Sequence, residues 1–64
     1  MTADIRVTNH GTIFLVHPES DAGRAWINEY LPADAQRWGE AVVVEHSFIN
    51  DIMYGMTKDG LEVA

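Results

Sequence analysis

Cysteine is absent from the chain, so disulfide staples and thiolate metal sites are excluded. Proline occurs twice, at Pro18 and Pro32, and each is expected to end a secondary-structure element. Cations are scarce: Lys+Arg number 4 against Asp+Glu 10, for a formal net charge of −6. Arg6, Arg24, Arg37 and Lys58 lie far apart in sequence, so no basic cluster offsets that charge. DNA and anionic membrane surfaces would repel such a chain, whereas a basic partner surface would attract it. Long apolar runs are missing as well. The longest are Ile13 to Val16 and Ala41 to Val44, four residues each, far short of the about 20 a membrane helix needs. Met1-Thr2-Ala3-Asp4 lacks a basic leader region, and the expectation is a soluble cytoplasmic protein.

The length of 64 residues predicts one domain, 1–64, with little room for a substrate pocket. A hydrophobic fraction of 47% and a charged fraction of 22% are those of a folded globular chain. A core this small is marginal, which raises the prospect of self-association or a partner.

Ile5 and Val7 alternate with Arg6 and Thr8, the period of a half-buried strand. Asn9-His10-Gly11 reads as a three-residue hairpin turn with Gly11 left-handed, and Thr12 to His17 as the second strand. Ser20 is placed to cap a helix, with Asp21 favourable in its first turn. Ala22, Ala25, Trp26 and Tyr30, widened by Ile27 and Leu31, predict its buried stripe. Ala33 to Gly39 reads as a connector and Ala41 to Glu45 as the third strand. Ser47 can cap a second helix carrying Phe48, Ile49, Ile52, Met53 and Met56 on one face. Gly60 suits the position after its end, with Leu61 folding back and Leu61 to Val63 forming a last strand.

The expected architecture is α+β, in the order β-β-α-β-α-β, with a mixed four-stranded sheet and two helices. Helix-linked strands are expected to be parallel if they are neighbours. The strands at Ile13 to Val16 and Ala41 to Val44 are apolar on both sides. Such strands are normally covered on both faces. Either the helices divide between the faces, or a second copy or a partner covers one of them.

Catalytic chemistry is not legible. His10, His17 and His46 lack metal-ligand spacing, and read as separate surface or junction residues. Glu45 and His46 are adjacent, so on a strand they would face opposite ways. Ser20 and Ser47 are accounted for as caps, and no Gly-rich phosphate loop occurs. No enzyme activity, metal or cofactor is expected. Glu19, Asp21, Glu29, Asp34 and Glu40 crowd the middle third, with only Arg24 and Arg37 among them. They read either as a solvated face or as phosphate mimics for a groove that binds nucleic acid. Trp38 beside Arg37 reads as a binding anchor or as a lid over the core edge. Tyr54 is a second exposed-aromatic candidate.

Thr8-Asn9-His10-Gly11-Thr12-Ile13, Trp38-Gly39, Val42-Val43-Val44-Glu45-His46, Gly55-Met56 and Asp59-Gly60-Leu61-Glu62-Val63 resemble segments of short bacterial and phage proteins, most of which have no described function. In size and acidity the chain is also similar to anti-CRISPR proteins encoded on mobile elements. That second resemblance implies an inhibitor that blocks the DNA-binding surface of a host complex, such as a type I CRISPR effector. Glu19, Asp21, Glu29, Asp34 and Glu40 would then stand where phosphates lie, and Trp38 would anchor. The expected partner is a protein subunit with a basic surface, with no direct nucleic acid or membrane contact. A homodimeric assembly module and an antitoxin-like partner of a basic toxin are the alternatives.

Overall fold

The computed structural model describes residues 3–64; Met1 and Thr2, at the start of the expected 1–64 domain, lie outside the described residues. Six elements follow in order: β1 (Ile5–Asn9), β2 (Ile13–Pro18), α1 (Asp21–Tyr30), β3 (Arg37–Trp38), β4 (Ala41–Glu45) and α2 (His46–Lys58). The α+β class, the single four-stranded sheet and the two helices are as the sequence predicts. The order of elements differs. A two-residue strand lies inside the expected connector, and the expected last strand, Leu61 to Val63, is reduced to a single bridge at Val63, so the order is β-β-α-β-β-α. The spatial order is β1-β2-β4-β3, and every ladder is antiparallel.

The expected mixed sheet therefore needs correction. Ala41–Glu45 is an antiparallel neighbour of β2, not a parallel one. The chain leaving α1 first makes β3, which runs parallel to β2, and then doubles back through Gly39-Glu40 to lay β4 between them. Gly39, at φ 62, permits that two-residue reversal. Parallel pairing survives only at the C-terminus, where Val63 bridges Ile5. There Ile5 N–H donates to Glu62 O, Ala64 N–H to Ile5 O and Val7 N–H to Ala64 O. This short pairing covers the outer edge of β1.

Both helices pack on one face. Cross-strand partners share a face, and Val16 pairs with Val7 and Val42 while Phe14 pairs with Val44. Ile5, Val16, Val42 and Val44 meet Ile27 of α1 and Ile49 and Met56 of α2 in the core. The opposite face carries Arg6, Thr8, Ile13, Leu15, His17, Trp38, Val43 and Glu45. It has no helix.

The α1 stripe is rotated from its expected position. Gly23 and Ile27 are its buried residues, Trp26 is half-buried, and Ala22, Ala25 and Tyr30 are exposed. Gly23 causes the rotation: a Cβ there would overlap the Asp4 carbonyl oxygen, so the chain entering β1 lies directly on the helix. Ser20 caps α1 as predicted, its Oγ accepting from Gly23 N–H at 3.0 Å and donating to Asp4 Oδ1 at 2.6 Å. Asp4 Oδ2 accepts from Glu62 N–H at 2.9 Å. One carboxylate thus ties the helix cap, the start of β1 and the C-terminal segment together. These two bonds, that from Glu62 first, hold its pKa below the ordinary 3.8.

Ser47 does not cap α2. The helix begins two residues earlier than that cap would set, at His46, with Glu45 at the cap position and no side-chain cap bond. Phe48, expected in the core, is 57% exposed, while Ile49 and Met56 are buried. The C-terminus closes as predicted: Gly60 has φ 91, Gly60 N–H donates to Thr57 O and Leu61 N–H to Met56 O. That pair of bonds is the Schellman arrangement, and it folds Leu61 against the core. Trp26 seals the helix pair, donating Nε1–H to Asp59 Oδ2 at 2.8 Å and lying against Gly55.

Candidate functional site

The helix-free face is not bare. Leu15 is only 5% exposed although no helix covers it. Its cross-strand partners are Thr8 and Val43, and Ile13 and His17 flank it along β2. Trp38, opposite Ala41 on β3, belongs to the same face. Its ring meets His10 edge to face, with centroids 6.1 Å apart at 71°. The two rings therefore reach toward each other from opposite margins of this face, and Trp38 remains 53% exposed. Trp38 is not among the side chains that pack on the helix-side core, and its exposed ring meets His10 instead.

Thr8 Oγ1 is the hub beneath them. His10 Nε2 lies 2.9 Å from it and His17 Nε2 3.1 Å. The reading of His10 and His17 as separate residues is thus corrected, while His46 stands apart at the start of α2. Arg6 faces His17 directly across the β1–β2 ladder. Burial first, then Arg6 and His10, lower the pKa of His17 from 6.5, with Glu19 opposing them. The expected three-residue turn would have put Thr8 and His17 on opposite faces. Instead His10 N–H donates to Ile13 O, Gly11-Thr12 make a two-residue turn, and Thr8 falls opposite Leu15 and on one face with His17. Histidine spacing in the sequence alone conceals it.

The carboxylates singled out from the sequence separate into two groups. Glu19 accepts from Arg6 Nε at 2.9 Å. Asp21 and Glu40 share Arg24, at 3.2 and 2.9 Å. Glu40 thereby raises the Arg24 pKa above its ordinary value. Glu29, on α1, and Asp34, in the connector, are exposed and have no ion pair among the described residues. Exposed pairs of this kind are worth about 0–1 kcal/mol, so they can be exchanged for a partner's cations at little cost. Tyr54 is 69% exposed on α2, as expected of the second aromatic candidate.

Among the described residues there is no cavity, and no group of three or more His, Cys, Asp or Glu side chains is placed to hold a metal. No helix among them is long and apolar enough to cross a membrane. What the arrangement offers is surface: an acidic exterior and one aromatic-imidazole face. No protein-family model, curated protein or solved structure matches the sequence or its fold.

Proposed function

We propose that this protein is a small binding inhibitor without catalytic chemistry, which occupies a basic, nucleic-acid-holding surface on a protein partner in the manner of anti-CRISPR proteins. The observation that carries the reading is the net charge of −6 on a chain whose described residues form no cleft, with Glu29 and Asp34 exposed and not paired with arginine among them. An anionic surface of this size competes with a polynucleotide both sterically and electrostatically. Glu29 and Asp34 are the primary contacts. Glu19, Asp21 and Glu40 contribute only by releasing Arg6 and Arg24, and Trp38 supplies the apolar anchor. The proteins it acts on would be cytoplasmic complexes of a bacterial host.

The test is capture on the immobilised protein from a bacterial lysate, followed by elution with duplex DNA and with salt. The expected outcome is a captured nucleic-acid-binding protein that duplex DNA releases, with binding weakened as salt screens charges over about 10 Å at 0.1 M. Glu29→Lys with Asp34→Lys should abolish that capture. Retention that is indifferent to DNA, salt and both reversals would rule the reading out.

A homodimeric assembly module is the second reading. It is favoured by β2 and β4, which are apolar on both sides while both helices cover one face only. Sedimentation separates the two: a concentration-independent dimer that Trp38→Ala converts to monomer supports assembly through the helix-free face.

A further inference from the structure

We propose that the His10–Thr8–His17 cluster is a proton-operated latch that holds Trp38 against the helix-free face and lets it go when both imidazoles are charged. The inference is independent of which partner the protein binds.

The latch follows from the hydrogen-bonding capacity of one hydroxyl. Thr8 Oγ1 has a single proton to donate, and two imidazole Nε2 atoms lie within 3.1 Å of it. With neutral rings, one Nε2–H donates to the oxygen while the hydroxyl donates to the other Nε2, so both contacts are satisfied in a directed chain. One charged imidazole fits the same chain as its donor. Two charged imidazoles do not. Both must then donate into one oxygen, the hydroxyl proton loses its acceptor, and two cations converge on one atom.

The surroundings add to this conflict. Arg6 stands opposite His17 on β1, and its charge is only partly offset by Glu19, which it holds at 2.9 Å. Glu45, the other carboxylate on this face, pairs with Ile13, at the opposite end of β2 from His17. It lies in the row of His10, whose N–H donates to Ile13 O, so that Ile13 stands between Glu45 and His10. Arg37 shares the register of Val42 and so faces the helix side, and His46 lies beyond Glu45 at the start of α2. No carboxylate among the described residues bonds either imidazole.

His10 is the link to Trp38, through the edge-to-face contact at 6.1 Å. Trp38 itself sits on a strand of two residues at the sheet margin, the least tethered strand of the four. Loss of the His10–Thr8 bond removes the fixed wall against which the indole rests. The core on the other face has no titratable member, so it stays intact while the latch opens.

The experiment is a pH titration of the full chain from 8 to 4.5 by NMR, following the imidazole protons, the two indole Nε1–H signals and the Ile27 methyls. The expected result is that the Trp38 indole shifts with the midpoint of the second imidazole protonation, while the Trp26 indole and the Ile27 methyls do not move. In Thr8→Val, Trp38 should lose that pH dependence, and in Thr8→Ser it should keep it. Should Thr8→Val not fold, the wild-type titration with Thr8→Ser still decides the matter. A Trp38 signal unchanged across both histidine titrations would overturn the latch. So would a Trp38 shift that coincides with loss of the Ile27 methyl signals, which is global acid unfolding.

Discussion

The two faces of the sheet are made from the same strands, yet they are held by different physics. On the helix side, Ile5, Val16, Val42 and Val44 are covered by Ile27, Ile49 and Met56, an aliphatic contact set with nothing to titrate. On the other side Leu15 is shielded without any helix, on a face that bears Thr8, His17 and Trp38. Apolar burial is insensitive to pH and nearly so to salt, whereas hydrogen bonds to imidazoles are neither. The molecule therefore has a structural face and a responsive face, and the same β2 residues alternate between them.

The largest break in that comparison comes from the helix side. Ile27→Ala should cost about 2–5 kcal/mol, as deletion of a buried branched side chain does. A chain of this length has about 3–10 kcal/mol in total at 0.05–0.15 kcal/mol per residue. Thermal or urea unfolding should consequently show a variant that is largely unfolded or close to it. Next is Gly23→Ala. Alanine improves helix propensity by about 1 kcal/mol, but the new methyl overlaps the Asp4 carbonyl. Overpacking of about 1–3 kcal/mol should win, and a rise in melting temperature would disprove the close packing of α1 on the start of β1. Ser20→Ala removes the α1 cap and should cost about 1 kcal/mol.

Acid should sharpen the contrast between the faces. The His17 pKa is lowered by burial, so the unfolded chain binds more protons just below 6.5. Stability should thus be full above that value and decline as pH falls through the range down to the folded pKa. Asp4, also lowered, contributes above 3.8 and loses its contribution as pH falls through its own folded pKa. Unfolding curves at stepped pH should show these as two separate declines, and Asp4→Asn should remove the lower one. The smallest effect belongs to the responsive face: Thr8→Val at pH 7.5 should change stability by about 1 kcal/mol or less, because the bonds it removes are half exposed.

Features that depend on a few neighbouring residues were legible. Ser20 caps its helix, Gly11 turns its hairpin and Gly60 terminates α2, because each acts through backbone geometry within a turn. Arg37-Trp38 was not recognisable as a strand, since two polar-flanked residues have no period and become β only by pairing with Val42 and Ala41. Phe48 looked like core because helical spacing defines a stripe's width but not its centre. The centre is set by what packs against it, here at Ile49 and Met56. The same holds for α1, where Gly23 turned the helix toward Asp4. Among the acids, composition revealed the excess; the Asp21–Arg24 pair is local, but the pairing of Glu19 with Arg6 and of Glu40 with Arg24 joins side chains 13 and 16 residues apart along the chain.

By itself the sequence determined the class of fold, the cap of α1, the end of α2, the left-handed glycine of the hairpin and the sign of the surface charge. Each of these follows from local backbone preference or from simple composition. The tertiary structure decided which strands are neighbours, which face goes without a helix, which carboxylates keep their charge unopposed, and that His10 and His17 share one hydroxyl. All of those are relations between residues distant in the chain, and they exist only once burial has fixed the register of the sheet.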